Sequence, residues 1–277
     1  MKRFFPVLLL AVASTALFAQ EPDPKGITAK SKAYHEYRLV ETAPSYGLKK
    51  VKALVAKIKT DKDDNPVLGL KAYDALSVRE KFTYCMLNAE NFDQNCAEMP
   101  GILNEERKIF AFPAGPFYDQ YNWSKRQEAF LKGHRGTVVQ LLRATIKSHS
   151  RVGANLKQAI IDLDAYQLIP DLVAAYKRST KDKDILSLLC VLMKNSSFKP
   201  FVVSPTYKTL YGDSAASYKS YIDATPANES WLIHTALKLS SVGNSQRQKT
   251  KVNWGAEIAI RHFRAVSSVE EPRKVQK

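Results

Sequence analysis

Six polar side chains between residues 80 and 95 carry the clearest chemistry that this sequence offers. Glu80, Tyr84 and Asn88 follow one another at every fourth position, which places them on one face of a helix. A turn after that helix would bring further carboxylate and amide groups beside them. The full set is Glu80, Tyr84, Asn88, Glu90, Gln94 and Asn95. Because amides and carboxylates offer donors and acceptors in fixed directions, the set predicts a patch that binds sugar hydroxyl groups or peptide backbone.

The two carboxylates of this set admit a catalytic and a structural interpretation. Glu80 and Glu90 would perform general acid–base work on a glycosidic bond if they faced each other across it. However, Ser77-Val78-Arg79-Glu80 is a capping box, in which the Glu80 carboxylate bonds to the Ser77 amide at the start of a helix. Asn and Gln side chains also commonly satisfy backbone groups in loops. The pattern therefore favours the structural interpretation.

An aromatic loop is the second candidate site. Helical periodicity disappears between residues 97 and 122, where prolines and glycines interrupt the chain repeatedly. The loop and the residue after it contain six aromatic residues: Phe110, Phe112, Phe117, Tyr118, Tyr121 and Trp123. Exposed rings such as Tyr118, Tyr121 and Trp123 could stack on sugar rings. Because six exposed aromatic side chains would promote aggregation, we expect the loop to fold back as a partly buried plug.

Recognisable catalytic motifs are missing from the sequence. It contains no glycine-rich phosphate loop, no G-x-S-x-G, no H-E-x-x-H and no C-x-x-C. The five histidines stand singly, which is unfavourable for a metal site: His35, His134, His149, His234 and His262. We therefore expect no catalytic residue, metal ion or cofactor.

The three cysteines are too few to build a disulfide scaffold. Cys190 lies within an apolar helical face and is expected to be a buried hydrophobic residue. Cys85 and Cys96 leave one disulfide open as an alternative, because the chain is expected to enter an oxidising compartment. Packing must therefore hold most of the fold.

The elements that must position these residues are helices. From Gly153 to Val203 apolar residues recur at helical spacing, as in Ile185, Leu188, Leu189 and Leu192. The stretch indicates two consecutive helical hairpins, and Pro170 and Pro200 occupy equivalent places in them. Both prolines suit the first turn of a helix. Alternation at period two is scarce, so the sequence predicts an all-α protein of stacked hairpins, as a solenoid or an irregular bundle.

The N-terminus indicates export. Lys2 and Arg3 precede a short apolar run, and Ala19 supplies a small residue at a plausible cleavage point. That run is too short for a permanent transmembrane helix. We expect a signal peptide at residues 1–19, followed by a flexible tether at 20–32. A single α-helical domain is expected at 33–266, with a repeat-like core at about 137–203, and a disordered tail at 267–277.

The charge of the chain indicates its class of partner. The formal net charge is +15 at pH 7, with 42 Lys and Arg against 27 Asp and Glu. Such an excess favours anionic partners. The basic residues are spread along the chain, which favours the alternative that the charge simply keeps an exported protein in solution. The basic segment Gln246–Lys251 could contact an anionic polymer, but a solvated loop is favoured. An anionic envelope component or a protein is the expected partner, and nucleic acid is disfavoured.

Three short strings resemble a family of exported bacterial helical proteins of unknown function. They are Arg79-Glu80-Lys81-Phe82-Thr83-Tyr84, Gln94-Asn95-Cys96 and Asn155-Leu156-Lys157-Gln158-Ala159-Ile160. The resemblance implies an exported helical protein and supplies no activity, cofactor or catalytic residue. The unit containing Ile169-Pro170 is also similar to HEAT-type helical hairpins, although the spacing of the two units is shorter than the usual HEAT period.

These observations predict an exported helical binding or scaffold protein of the cell envelope. One alternative is a hydrolase that acts on an envelope polymer through Glu80, Glu90 and neighbouring amides. The other is a purely structural protein without a small ligand. An enzyme would require Glu80 and Glu90 to converge in a deep pocket, whereas carboxylates held in backbone caps would oppose it.

Overall fold

A computed structural model describes residues 27–92, 102–117, 120–213, 215 and 220–242. Helices dominate these residues, and the predicted all-α class is confirmed. The helices are α1 (Ala29–Leu39), α2 (Leu48–Val55), α3 (Leu70–Asp74), α4 (Val78–Leu87), α5 (Lys125–Gly133), α6 (Arg135–Ser148), α7 (Ala154–Asp162), α8 (Ile169–Arg178), α9 (Asp184–Asn195), α10 (Lys199–Val202), α11 (Pro205–Tyr211) and α12 (226–242). No helix in this part of the chain is long and apolar enough to cross a membrane.

Four very short strands accompany the helices: β1 (Asn91–Phe92), β2 (Lys108–Phe110), β3 (Tyr121–Asn122) and β4 (Tyr221–Asp223). β1 pairs antiparallel with β3, and β2 pairs antiparallel with β4. The two pairs fix both ends of the aromatic loop to the helical body. The sequence did not predict these strands, because two or three residues are too few to show alternation.

The main hydrophobic core lies among the helices of the predicted repeat segment. α6 packs on α8, α7 on α9, and α9 on both α8 and α10. Leu163, Leu172 and Leu189 are buried in this core, as their helical spacing predicted. Cys190 is also buried there with a free thiol. Pro170 and Pro200 occupy the first turns of α8 and α10, which confirms the two helix starts. Stacking of the HEAT type remains a prediction.

A smaller lobe consists of α2, α3 and the adjoining face of α4, and we call it the α2–α3 lobe. Its separate cluster of buried residues is Val51, Leu68, Tyr73, Leu76 and Tyr84. Val51 is buried on the inner face of α2, and Val55 packs beside it. In the polar loop between α2 and α3, Asp61 Oδ1 accepts hydrogen bonds from the Asp63 and Asn65 amides.

The N-terminal prediction needs one correction. Residues 28–32 were expected in a flexible tether, but Thr28 caps α1 by accepting a hydrogen bond from the Ser31 amide at 3.1 Å. α1 begins at Ala29 because Thr28 provides this cap, which the sequence reasoning overlooked. The proposed signal peptide, the Gln246–Lys251 segment and the proposed tail lie outside the described residues.

Candidate functional site

Glu80 lies at the start of α4 and caps it. Glu80 Oε2 accepts a hydrogen bond from the Ser77 amide at 2.9 Å, and Ser77 Oγ accepts one from the Glu80 amide at 3.4 Å. Lys50 Nζ donates to Glu80 Oε1 at 3.0 Å. The bonds from Ser77 and Lys50 lower the pKa of Glu80, so its carboxylate is ionised and has a partner on each oxygen. The predicted capping box is confirmed.

Tyr84, Asn88 and Glu90 come together as predicted, but in the interior of the protein. Tyr84 Oη donates a hydrogen bond to Glu90 Oε1 at 2.6 Å, and Asn88 Nδ2 donates one to Tyr84 Oη at 3.1 Å. Glu90 is only 1% exposed, and Tyr84 is fully buried. Half of the predicted patch is therefore a buried network rather than an open binding surface. Glu80 does not belong to this network.

Three residues from the start of α5 complete the Glu90 network. Ser124 Oγ donates to Glu90 Oε2 at 2.6 Å, and Arg126 donates to both carboxylate oxygens, with Nε at 2.7 Å from Oε2. Gln127 accepts a hydrogen bond from the Glu90 amide at 3.1 Å and donates to the Asn88 carbonyl at 2.7 Å. Ser124 and Gln127 form the capping box of α5, and no local feature of the sequence signals that this helix start meets Glu90.

The ionisation of Glu90 follows from this network. Burial alone would raise the pKa of Glu90, but hydrogen bonds from Arg126, Ser124 and Tyr84 hold it below its usual value. Burial and the bond to the Glu90 carboxylate raise the pKa of Tyr84 strongly. A carboxylate that is buried, ionised and fully hydrogen-bonded is poorly suited to general acid catalysis, which needs a proton near neutral pH.

The aromatic loop is the partly buried plug that its composition predicted. Trp123 packs edge-on against Phe117 with ring centroids 6.5 Å apart, and its indole Nε1 donates to the Cys85 carbonyl at 2.8 Å. Tyr121 is half-buried against Phe92. Phe117 and Trp123 both belong to the main core. Trp123 is therefore unavailable for stacking on a ligand.

Four residues of the sequence-based hypotheses lie outside the described residues: Gln94, Asn95, Cys96 and Tyr118. Cys85, the possible partner of Cys96, is buried with a free thiol, and burial raises the pKa of that thiol. Because Cys96 lies outside the described residues, the Cys85–Cys96 disulfide that the sequence left open remains untested.

A second buried network, which the sequence did not predict, connects α1 to the body. Arg38 Nη1 donates to Glu105 Oε1 at 2.6 Å, and Arg38 Nε donates to Asp184 Oδ1 at 2.9 Å. His35 Nδ1 lies 3.1 Å from both Glu105 oxygens. The second oxygen of Asp184 accepts from the Ala114 amide at 3.1 Å. The partners are up to 146 positions apart in the sequence, so local pattern reasoning could not find them.

Lys157 extends this network toward Asp182. Its Nζ donates to Asp182 Oδ1 at 2.7 Å and lies 3.9 Å from Asp184 Oδ2. Burial raises the pKa of Asp182 despite Lys157. Burial also opposes ionisation of Asp184, but Arg38 and Lys157 outweigh it and lower the pKa of that carboxyl. In the described part of the chain, the other oxygen of Asp182 is buried without a hydrogen-bond partner, as is Arg151 Nε.

The chain matches no protein-family model, no curated protein and no solved structure. Within the described ranges, no group of three or more His, Cys, Asp or Glu side chains could hold a metal ion.

The α2–α3 lobe carries exposed lysines on its outer surface, together with the exposed Asp61, Asp63, Asp64 and Asp74. Five of its lysines are exposed and form no ion pair with any described residue: Lys49, Lys52, Lys57, Lys59 and Lys71. Val51 and Val55 pack into the core of the lobe, so Lys49 and Lys52 lie on the outer side of α2. A shallow depression at the start of α2 is lined by Lys49 and by Lys50, which pairs with Glu80. We call these five lysines and this depression the lysine surface.

Proposed function

We propose that this protein is an exported helical binding protein that contacts an anionic component of the cell envelope through the lysine surface. The observation that carries the proposal is the set of five exposed lysines that have no ion-pair partner among the described residues. Each of them keeps its charge available for a ligand, and like charges that lie near one another attract polyanions. Export is supported by the signal-like N-terminal sequence alone.

Hydrolysis is a weaker proposal for the same protein. Glu80 is occupied by Ser77 and Lys50, and Glu90 is occupied by Tyr84, Ser124 and Arg126. Glu80 lies in the first turn of α4 and Glu90 follows the end of that helix, and the two carboxylates share no hydrogen-bond partner among the described residues. Glycosidase carboxylates face one substrate. The contacts of Glu80 and Glu90 favour structural roles.

Retention on an immobilised polyanion tests the proposal. We expect the purified chain to bind heparin-agarose at low ionic strength and to elute as salt rises, because screening weakens contacts between exposed charges. Lys49→Glu with Lys52→Glu should weaken binding by about tenfold or more, on the order of 1 kcal/mol for each lysine. Lys199→Glu with Lys208→Glu is the matched control, because it changes the net charge equally on α10 and α11.

Two results would contradict the proposal. The chain could fail to bind the polyanion at low salt, or both double variants could lose the same amount of retention. In the second case the total charge, rather than the lysine surface, would determine binding. Unchanged circular dichroism of both variants ensures that the comparison concerns folded proteins.

A further inference from the structure

Two aliphatic side chains of the α2–α3 lobe lie outside both hydrophobic clusters of the described residues. Leu70, the first residue of α3, is 68% exposed, and Val67 is 40% exposed. Leu68 between them is buried in the core of the α2–α3 lobe. The loop therefore turns one aliphatic residue inward and two outward, next to Lys71. We call the segment of residues 66–70 the aliphatic tip.

The Glu90 network holds the aliphatic tip in place. Asn88 Nδ2 donates to the Pro66 carbonyl at 2.9 Å, and Arg126 Nη2 donates to the Leu68 carbonyl at 2.5 Å. The Leu68 amide in turn donates to Tyr84 Oη at 3.3 Å. Three members of the buried network thus bond to the backbone of the tip. A loop fixed in this way presents its outward side chains without a large entropy loss on binding.

The combination of exposed lysines and aliphatic side chains distinguishes two classes of anionic ligand. A dissolved polyanion gains only from the lysines, so Leu70 and Val67 would add nothing. An anionic lipid surface gains from both, because lysines attract the headgroups while aliphatic side chains enter the boundary with the acyl chains. We propose that the ligand of the lysine surface is an anionic lipid surface and that the aliphatic tip inserts into it. This inference rests on the proposed function.

The experiment compares vesicles with a dissolved polyanion. Sedimentation with vesicles of phosphatidylglycerol and phosphatidylcholine should carry the purified chain down, whereas pure phosphatidylcholine vesicles should not. Leu70→Asn should weaken vesicle binding by about tenfold, since burial of a leucine side chain is worth at least that factor. The same variant should bind heparin-agarose within about twofold of the unchanged chain. Leu103→Asn is the matched control, because Leu103 is also exposed, at 52%. It lies just before the short 3₁₀ helix at Glu105–Arg107, far from the aliphatic tip in the sequence.

The outcomes separate the two proposals. Selective loss of vesicle binding in Leu70→Asn supports lipid insertion. If the chain binds heparin but not the mixed vesicles, or if Leu70→Asn and Leu103→Asn behave alike, the lipid inference is wrong while the proposed function stands. If neither vesicles nor heparin bind, both are wrong. Equal thermal unfolding midpoints for the two variants show that the tip, rather than the fold, is affected.

Discussion

Helix α1 and the repeat segment are attached to the rest of the protein by opposite means. The helices α7, α8 and α9 bury continuous apolar faces, with Ile160, Leu172 and Leu189 fully inaccessible to solvent. In the described part of the chain, no residue of α1 belongs to either hydrophobic cluster. Instead Ser31 donates to Glu106 at 3.0 Å, and Arg38 bonds to Glu105 and Asp184.

The contrast shows how stability depends on the kind of contact. Apolar burial is nondirectional, so a core can adapt to a lost methyl group at a graded cost. A buried ion pair depends on geometry, and removal of one partner leaves an uncompensated charge. After α1, the Thr42 backbone carbonyl and amide bond to the Asn155 side chain, which fixes the chain where it enters the body. α1 should therefore respond sharply to single polar substitutions.

The largest expected effect follows from Asp184→Ala. The substitution removes a fully buried carboxylate that both Arg38 and Lys157 approach. We expect the free energy of unfolding to fall by about 3–5 kcal/mol, as for other broken buried pairs. Urea unfolding followed by circular dichroism measures it.

Asp171→Ala is the control for this prediction. Asp171 pairs with Arg143 at 2.8 Å and with Lys147 at 3.4 Å, but both basic side chains are exposed to solvent. Solvent screening should limit the loss to about 1 kcal/mol or less. Equal losses in Asp184→Ala and Asp171→Ala would show that the buried network of α1 has no special importance.

A slightly smaller loss of stability is expected from a substitution in the apolar core of the repeat segment. Leu189→Ala removes a fully buried side chain from the middle of α9 and leaves a cavity in the main core. We expect a loss of about 3 kcal/mol in the free energy of unfolding. Val203→Ala, on an exposed side chain, should change it by less than about 0.5 kcal/mol. A loss below 1 kcal/mol in Leu189→Ala would contradict the predicted core.

The repeat segment could be predicted from the sequence because its contacts follow local rules. The apolar stripe of α9 and the prolines at the starts of α8 and α10 depend only on residues a few positions apart. The capping boxes of Ser77 and Ser124 are equally local. Helical periodicity and caps are therefore the part of this fold that one sequence reveals.

The site residues could be predicted only in part, since their partners are distant in the sequence. The spacing of Tyr84 and Asn88 predicted that they meet, but Glu90 binds Arg126 from another helix. The burial that converts the predicted patch into an internal network comes from packing of α4 against the α2–α3 lobe and from the start of α5, which no spacing of polar residues indicates. Nothing near Arg38 in the sequence indicated its bond to Asp184.

Acid provides a more moderate test of how α1 is attached. Burial opposes ionisation of Glu105, but the bond from His35 and the charge of Arg38 lower its pKa. A lowered pKa contributes stability above the ordinary glutamate value and loses it as pH falls through the folded-state value. We therefore expect stability to decline as pH drops below about 4.3. Glu105→Gln should show a shallower decline in urea unfolding at successive pH values.

The contribution of Asp182 to the pH dependence of stability should have the opposite sign to that of Glu105. Its raised pKa favours the protonated form in the folded protein, so its contribution is present below the ordinary aspartate value and is lost as pH rises through the folded-state value. In Asp182→Asn, the dependence of stability on pH above about 3.9 should therefore become more positive than in the unchanged chain. An identical slope in both proteins would show that Asp182 titrates as it does in the unfolded state.

The smallest effect is expected at the solvent-exposed end of the α1 attachment. Lys30 Nζ lies 3.9 Å from Glu106 Oε1, and its side chain is 71% exposed. Water screens this pair, and the lysine loses rotamer entropy when it holds one geometry, so Lys30→Ala should change the free energy of unfolding by less than about 0.5 kcal/mol. Urea unfolding of Lys30→Ala and Asp184→Ala compares an exposed ion pair with a buried ion pair that attach the same helix. A loss above 1 kcal/mol would mean that the number of ion pairs, rather than their burial, determines how firmly α1 is held.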